Sequence, residues 1–431
     1  MATETVTTRC AIAGGGPAGM MLGFLLARAG VDVLVLEKHA DFLRDFRGDT
    51  IHPSTLEIMY ELGLLDEFLK LPHQKVRELS GAIGDETVTI ADFTHLPTRC
   101  GFIAFIPQWD FLDFLADRAK LYPGFKLKMK AVVDDLLWED RRVVGLKAKL
   151  PRGMLEVRAD LVVGADGRHS AVRDLAGLEC EDLGAPMDVL WLRLSKRADD
   201  GSQTLGRIQA GRMFIMLDRG DYWQCAYVIS KGGFNELRCK GLEAFRHDIV
   251  ALNPTLADRV SEIASWDDVK LLTVRVDRLK RWYRPGLLCI GDAAHAMSPV
   301  GGVGINLAIQ DAVAAANILA EPLREGAVSE ALLRKVQERR QWPTRMTQAL
   351  QIFIQNRVIR NVLSMTTPPR PPFAVMLLKR FPWLRRIPGR LIGMGLRPEH
   401  VHTPEVRAQT AAAGSPPPMR GRSTPKASGG G

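Results

Sequence analysis

Short apolar runs punctuated by glycine open the chain. Cys10-Ala11-Ile12-Ala13 leads into Gly14-Gly15-Gly16-Pro17-Ala18-Gly19, Met20 to Ala29 reads as a helix stopped by Gly30, and Val31 to Leu36 is a second apolar run. Such runs mark buried strands, and a strand, turn, helix, strand series predicts a parallel sheet. Helical spacing follows over Thr55 to Leu71 and Trp109 to Leu121, while Val76 to Phe93 alternates as strands outside that first sheet do. Ala131 to Leu150 and Leu155 to Val163 read as strands, the latter ending in Gly164-Ala165-Asp166-Gly167. From about Val189 to Ile229 β-type alternation dominates, through Met213 to Leu217 and Trp223 to Ile229, and predicts a second sheet as a substrate layer. Leu287 to Ile290 returns to the first module, a helix is expected over Ile305 to Leu319, and longer helical patterning fills Ser329 to Leu363.

At 431 residues and 46% hydrophobic content the chain can build two packed modules, which excludes a disordered or fibrous protein. Cys10, Cys100, Cys180, Cys225, Cys239 and Cys289 are scattered, and neither cysteine nor histidine falls at metal-ligand spacing, so no metal is expected. The first residues lack a signal-peptide pattern and no long uncharged apolar stretch occurs, which predicts a cytoplasmic protein that does not span a membrane. From Ala411 the sequence is rich in Pro, Gly, Ser and Arg without periodicity and reads as a disordered tail.

The net charge of +9 acquires meaning from its position. Lys379, Arg380, Arg385, Arg386, Arg390 and Arg397 lie in a segment, 371–398, that holds no acidic residue and is interleaved with Phe373, Phe381, Trp383 and Ile387. This mixture suits peripheral contact with an anionic membrane, at the inner surface of the cell membrane; the alternative is a helical cap with a solvated basic face. No nucleic-acid motif accompanies the charge, so no nucleic-acid partner is expected.

Gly14, Gly16 and Gly19 have GxGxxG spacing with a strand before, a helix after and an acidic residue beyond the second strand, the context in which the motif binds a dinucleotide. Gly14 permits the turn, Gly16 lets backbone approach a pyrophosphate, and Gly19 lets the helix pack. Pro17 and Ala18 open the helix whose free N–H groups would meet phosphate. Glu37, followed by Lys38, is placed to accept from ribose hydroxyls, favouring FAD or NAD over a 2′-phosphorylated ribose.

Two later segments separate those cofactors. Gly164-Ala165-Asp166-Gly167-Arg168-His169-Ser170-Ala171-Val172-Arg173 resembles the DGxxSxxR signature of the class A flavin monooxygenases. Gly291-Asp292-Ala293-Ala294-His295-Ala296-Met297-Ser298-Pro299 resembles their GDAAHxxxP signature and continues into Gly304-Ile305-Asn306. The resemblance covers roughly residues 8 to 345. It implies an α/β fold: a Rossmann-like FAD-binding domain in three pieces (1–75, 100–180 and 270–330), an inserted mixed β-sheet substrate domain (76–99 and 181–269), a C-terminal helical region (331–400) and a disordered tail (405–431).

The resemblance also implies site roles. Asp292 would bond the ribityl chain, and the backbone of Gly304, Ile305 and Asn306 would meet the flavin's pyrimidine edge. Arg47 and Gln108 match positions that reach the cofactor, and Val133 would touch adenine through its backbone. Asp166 either helps FAD placement and NAD(P)H use or forms a structural ion pair with Arg173. His295 is expected to serve local structure, and His52 to face either flavin or solvent.

The implied reaction is hydroxylation of an aromatic, quinone-like or polyketide substrate. NADH or NADPH reduces FAD, O₂ adds to give a flavin C4a-hydroperoxide, and the distal oxygen passes to an electron-rich carbon. The flavin carries the hard step, while the protein positions the substrate and excludes water. For substrate contact and phenolate stabilisation the candidates are Arg212, Tyr222 and Tyr227 on the second sheet, with the carbonyl of Pro299 as an acceptor. A monomer or homodimer is expected.

Rival readings keep the fold with halogenase or prenyl-reductase chemistry, or remove catalysis altogether, leaving a binding protein. Halogenases of this fold carry WxWxIP and prenyl reductases a YxWxFP-type pattern, and Phe105-Ile106-Pro107-Gln108-Trp109 is neither.

Overall fold

The continuous apolar runs go to the centre of the larger sheet. β1 (Thr3–Ala13) passes through the glycine turn into α1 (Pro17–Arg28), and β2 (Val33–Glu37) returns parallel beside it. Cys10 to Ala13 and Val33 to Glu37 are buried, as strands covered on both faces must be. The computed structural model describes residues 3–43, 50–84, 86–200, 205–326, 328–367 and 369–406.

Along the chain follow β3 (Glu78–Ile83), β4 (Glu86–Asp92), α2 (Gln108–Ala119), β5 (Phe125–Met129), β6 (Val132–Glu139), β7 (Arg142–Lys149) and β8 (Met154–Gly164). Then come β9 (Met187–Ser195), β10 (Leu205–Gln209), β11 (Arg212–Asp218), β12 (Tyr222–Ser230), α3 (Leu242–Leu252), β13 (Lys270–Leu272), β14 (Tyr283–Arg284) and β15 (Leu287–Cys289). The helices α4 (Gly304–Glu325), α5 (Glu330–Ile354), α6 (Phe373–Arg380) and α7 (Arg386–Gly393) complete it.

The larger sheet runs β14-β15-β8-β1-β2-β5, with β7 and β6 added antiparallel beyond β8. The second runs β13-β9-β12-β11-β10-β3-β4, so that β3 and β4, early in sequence, complete it through the parallel pair β10 and β3. Two expectations shift. β1 begins at Thr3, because its polar half is held by parallel pairing to Met154–Ala159 of β8. The helical window from Thr55 to Leu71 is two helices, Pro53–Glu61 and Leu65–Phe68, parted at Gly63 with a φ of 71°.

Alternation gives the second sheet two distinct faces. Leu190, Leu192, Phe214, Met216, Cys225 and Tyr227 pack with Phe245, Ile249 and Leu252 of α3. Residues of opposite parity, among them Met187, Met213 and Val228, face the other way and meet Val300, Ile354 and Ile359.

α4 is long and apolar enough to cross a bilayer, but most of it is buried against α1 and α5, and its composition is that of a core helix. α5 buries Leu333 and Val336 in its first turns and is then reversed: from Gln337 on its buried face carries Gln337, Arg340, Thr344, Gln348 and Gln351, while Trp342, Met346, Leu350 and Phe353 are exposed. A π-helical turn, Gln355–Ile359, follows it. The Pro and Gly residues of 371–398 divide that segment into α6, a 3₁₀ turn at Pro382–Arg385 and α7, with α6 and α7 against β4.

Candidate active site

The glycine turn ends β1 where three elements converge. Gly14 has a φ of 106°, and a Cβ there would lie 2.3 Å from the Ala165 carbonyl oxygen, so only glycine fits between β1 and the turn after β8. A Cβ on Gly19 would lie 2.0 Å from the Gly14 carbonyl oxygen, which brings α1 directly onto the turn. A Cβ on Gly16 would meet nothing within 4 Å, so this position faces open space. α1 begins there at Pro17 without a side-chain cap, presenting the positive end of its dipole at Ala18 and Gly19.

At the end of β2 the buried Glu37 carboxylate accepts from Gly15 N–H (2.9 Å) and His39 N–H (3.0 Å). A carboxylate oxygen takes more than one donor, so these bonds orient the group toward the glycine turn. Lys38 is exposed beside it. Ala131 N–H donates to the Glu37 carbonyl, which draws Val133, half-buried in β6, alongside. Gln108 is the first residue of α2, preceded by Pro107. Arg47 lies outside the described residues, as does the tail beyond residue 406.

Asp166 follows β8. Burial pushes its carboxyl up, against the Ser170 hydroxyl and the Val172 N–H, which both donate to it. The Asp166–Arg173 ion pair offered as its structural alternative is not formed: Arg173 turns to Asp174 and to the Arg168 carbonyl, because the short helix capped by Ser170 carries it away. Arg168 reaches instead toward Asp292, 3.5 Å away.

The start of α4 is fastened from outside. Asn306 is buried; its Oδ1 accepts from His52 N–H (2.9 Å) and the Thr55 hydroxyl (2.8 Å), and its Nδ2 donates to the Thr50 carbonyl (3.0 Å). Thr50 closes the circle by donating to the Gly302 carbonyl. Gly304 and Ile305 therefore open an uncapped helix whose first turn is anchored through Asn306 by backbone and side-chain groups of residues 50–55. His52 is wholly buried, with Nδ1 2.8 Å from the Ile392 carbonyl, and burial lowers its pKa to about 4.

Pro299 lies in a loop that α5 grips with glutamines. Gln348 Nε2 donates to the Asp277 and Ala296 carbonyls, and Gln351 Nε2 to those of Ser298 and Val300. Gln351 also accepts from Ser298 N–H, and Gln355 donates to the Ser298 hydroxyl. The Pro299 carbonyl accepts from Gly302 N–H (3.0 Å) and so closes the turn itself. Sequence reasoning missed this ladder; its signal was glutamine at helical spacing, 348, 351 and 355.

Strand parity corrects two substrate candidates. Arg212 pairs with Asp248 of α3 at 2.7 Å, and Tyr227 packs edge-on to Phe245 with ring centroids 5.2 Å apart. Both occupy the α3-backed face, turned from Val300. Burial pushes the Tyr227 hydroxyl up to about 12, which opposes any role as a proton acceptor near neutrality. Tyr222 has the parity of Ala226 and Val228, and its ring lies under the Arg193 guanidinium, 3.9 Å from centroid.

His295 belongs to a buried charge chain. It meets Asp311 at 2.6 Å, Asp311 meets Arg340 at 3.0 Å, and Arg340 meets Glu399 at 3.0 Å. Burial alone would push Asp311 up, but His295 and Arg340 outweigh it and hold the carboxylate below its usual range. The chain joins the GDAAH turn to α4, α5 and the C-terminal segment.

The open Gly16 position, the uncapped α1, the oriented Glu37 and the uncapped α4 together fit FAD: anionic pyrophosphate, ribose hydroxyls and the electron-accepting edge of a flavin. Comparison with known proteins agrees. A family described as FAD binding domain matches residues 7–350. The chain is 34% identical to 6-methylpretetramide 4-monooxygenase of Streptomyces rimosus, over 89% of this chain and 92% of that one. It is 25% identical to 3-demethoxyubiquinol 3-hydroxylase of Escherichia coli, over 77% and 85%. The crystal structure of P. aeruginosa PqsL in complex with 2-aminobenzoylacetate shares the fold, with a TM-score of 0.72 at 21% identity, covering 83% of this chain and 98% of that one.

Proposed function

This chain belongs to the FAD-binding-domain family and is a class A FAD-dependent aromatic monooxygenase; we propose that its substrate is a flat, fused-ring aromatic polyketide, hydroxylated with NAD(P)H as reductant and O₂ as oxidant. One observation carries the substrate reading. On the face of the second sheet turned toward Val300, cross-strand register sets Ala226, Ile215, Gly206 and Gly81 in a row across four strands. Two glycines, an alanine and one branched aliphatic make a low, uncharged wall. Such a wall matches the broad face of a ring system through dispersion and burial, whereas a small aromatic acid would ask for a buried cation. The relative acting on 6-methylpretetramide supports the same reading.

In this proposal the Gly16 turn and the α1 terminus take the pyrophosphate, Glu37 the ribose, Asp292 the ribityl chain, and the backbone of Gly304, Ile305 and Asn306 the pyrimidine edge. Gln108, Asp166 and Val133 complete the cofactor's surroundings. The bound flavin supplies the activation of oxygen. The protein's share is to orient both partners and to keep water from the reacting atoms. The test is NAD(P)H oxidation by the FAD-loaded protein against polycyclic polyketides, quinones and single-ring phenols. Polycyclic substrates are expected to stimulate oxidation and to gain one oxygen atom by mass. Stimulation and oxygenation confined to single-ring acids would overturn the substrate reading.

A further inference from the structure

We propose that the outer face of α5, together with α6, the Pro382–Arg385 turn and α7, docks on an anionic lipid bilayer. This goes beyond the proposed reaction and does not depend on it. Two independent features of the surface carry it.

The first is charge. Between Glu338 and Glu399 the sequence contains no acidic residue, and the stretch leaves Arg345, Arg357, Arg360, Arg380, Arg386 and Arg390 exposed. The second is apolar exposure where a solvated basic cap would have none. Phe373 is 79% exposed, Ile387 62%, Trp383 61%, Phe353 61% and Trp342 53%. Scattered apolar residues on a surface are ordinary, but α5 presents its apolar stripe outward while burying Gln348 and Gln351, the reverse of a helix that faces water.

The face is also held rigidly. A Cβ at Gly389 would lie 2.1 Å from the Asp92 carbonyl oxygen, so α7 rests backbone to backbone on β4. Lys379 of α6 pairs with Glu86 of the same strand at 2.7 Å. Thr347 of α5 lines one small cavity with Leu391 and Ile392 of α7, which sets the two helices beside each other.

Charge selects the occupant. A second copy would bring one cationic face against another. The remaining chain, 407–431, contains Arg407, Arg420, Arg422 and Lys426 with no acidic residue, and is repelled likewise. A nucleic acid would satisfy the arginines but offers nothing to cover Ile387 and Phe353. An anionic bilayer meets both demands, with headgroups for the guanidinium groups and an acyl boundary for the rings and aliphatics. Because α7 lies on β4, the edge strand of the second sheet, docking would set that sheet at the surface where lipophilic ring systems accumulate.

The experiment is co-sedimentation of the full, FAD-loaded chain with vesicles of phosphatidylcholine alone and of phosphatidylcholine mixed with phosphatidylglycerol. Binding to the mixed vesicles only, weakened by salt, is expected. Arg386→Gln and Arg390→Gln should each lower the partition constant about fivefold. The double variant Trp383→Ser/Ile387→Ser should abolish sedimentation while flavin absorbance and the thermal transition stay those of the parent. Failure to sediment with either vesicle would overturn the proposal. So would displacement by single-stranded DNA that leaves the double variant bound as tightly as the parent, or a dimer in solution that this variant dissolves.

Discussion

α4 and α5 lie side by side, and α4 beyond Asp311 and α5 from Gln337 onward bury themselves by opposite means. α4 packs Ala312, Val313, Ala316 and Leu319 inward, and shape alone decides their fit. α5 turns Gln337, Arg340, Gln348 and Gln351 inward, and each is met by a partner, Gln337 by the Lys280 carbonyl and the Trp282 N–H and the others as above. Apolar burial is strong but non-directional, whereas a hydrogen bond fails within an ångström of misplacement. The difference divides the labour around the site. α4 supplies bulk stability and an oriented terminus, and α5 holds the Ala296–Val300 loop in one position.

The heaviest blow to that contrast is Arg340→Met. It takes the Arg340 guanidinium from the buried carboxylates of Asp311, which keeps His295, and Glu399, which keeps Arg339, and a loss of about 3 kcal/mol in denaturant unfolding is expected. A loss below about 1 kcal/mol would mean that the polar interior of α5 fastens nothing.

On the α4 side, the His52 contact gives a pH signature. With a folded pKa of about 4 against an ordinary 6.5, the unfolded chain binds the proton first as pH falls. The contribution of His52 is therefore complete above pH 6.5 and is lost between 6.5 and 4, about 3 kcal/mol in all. Unfolding free energies of the parent and His52→Gln should converge in slope across that window if another group is responsible, and differ in slope if His52 is.

Gln351→Leu is a smaller perturbation of the ladder. It leaves the Ser298 N–H and the Ser298 and Val300 carbonyls without this partner, for about 2 kcal/mol. It should also raise the share of NAD(P)H oxidised without product, measured against oxygenated substrate. Leu319→Met on α4 is expected to cost under about 1.5 kcal/mol and to leave that ratio alone. Smallest of all, Met346→Ser on the outer stripe of α5 should shift stability by no more than about 0.5 kcal/mol, since nothing in the fold rests on it.

The FAD half was legible because its signals are local. A glycine turn, two apolar runs and Glu37 fall within thirty-odd residues of one another. The substrate half was not, because alternation announces a strand without saying which face is which. Arg212 and Tyr227 looked chemical and lie against α3. The polar interior of α5 stayed hidden for a different reason: Trp342, Met346, Leu350 and Phe353 recur at helical spacing and pass for a core stripe. Only tertiary structure reveals that the glutamines on the opposite side have the backbone partners to be buried. The same holds for Arg173, whose partner depends on how the Ser170 cap turns the chain.

The π turn from Gln355 to Ile359 ties the two halves of that contrast together. Seven residues after Gln351 a regular helix would turn Val358 inward, yet Val358 is exposed and Ile359 lies against Met213 and Val228. One surplus residue thus hands the helix over from a hydrogen-bonded loop to an apolar sheet. Deleting it would turn the helical residues that continue from it, Arg360–Ser364, by about 100° and move Ile359 and Val362 off their buried positions. At this turn the chain is more sensitive to its length than to its chemistry.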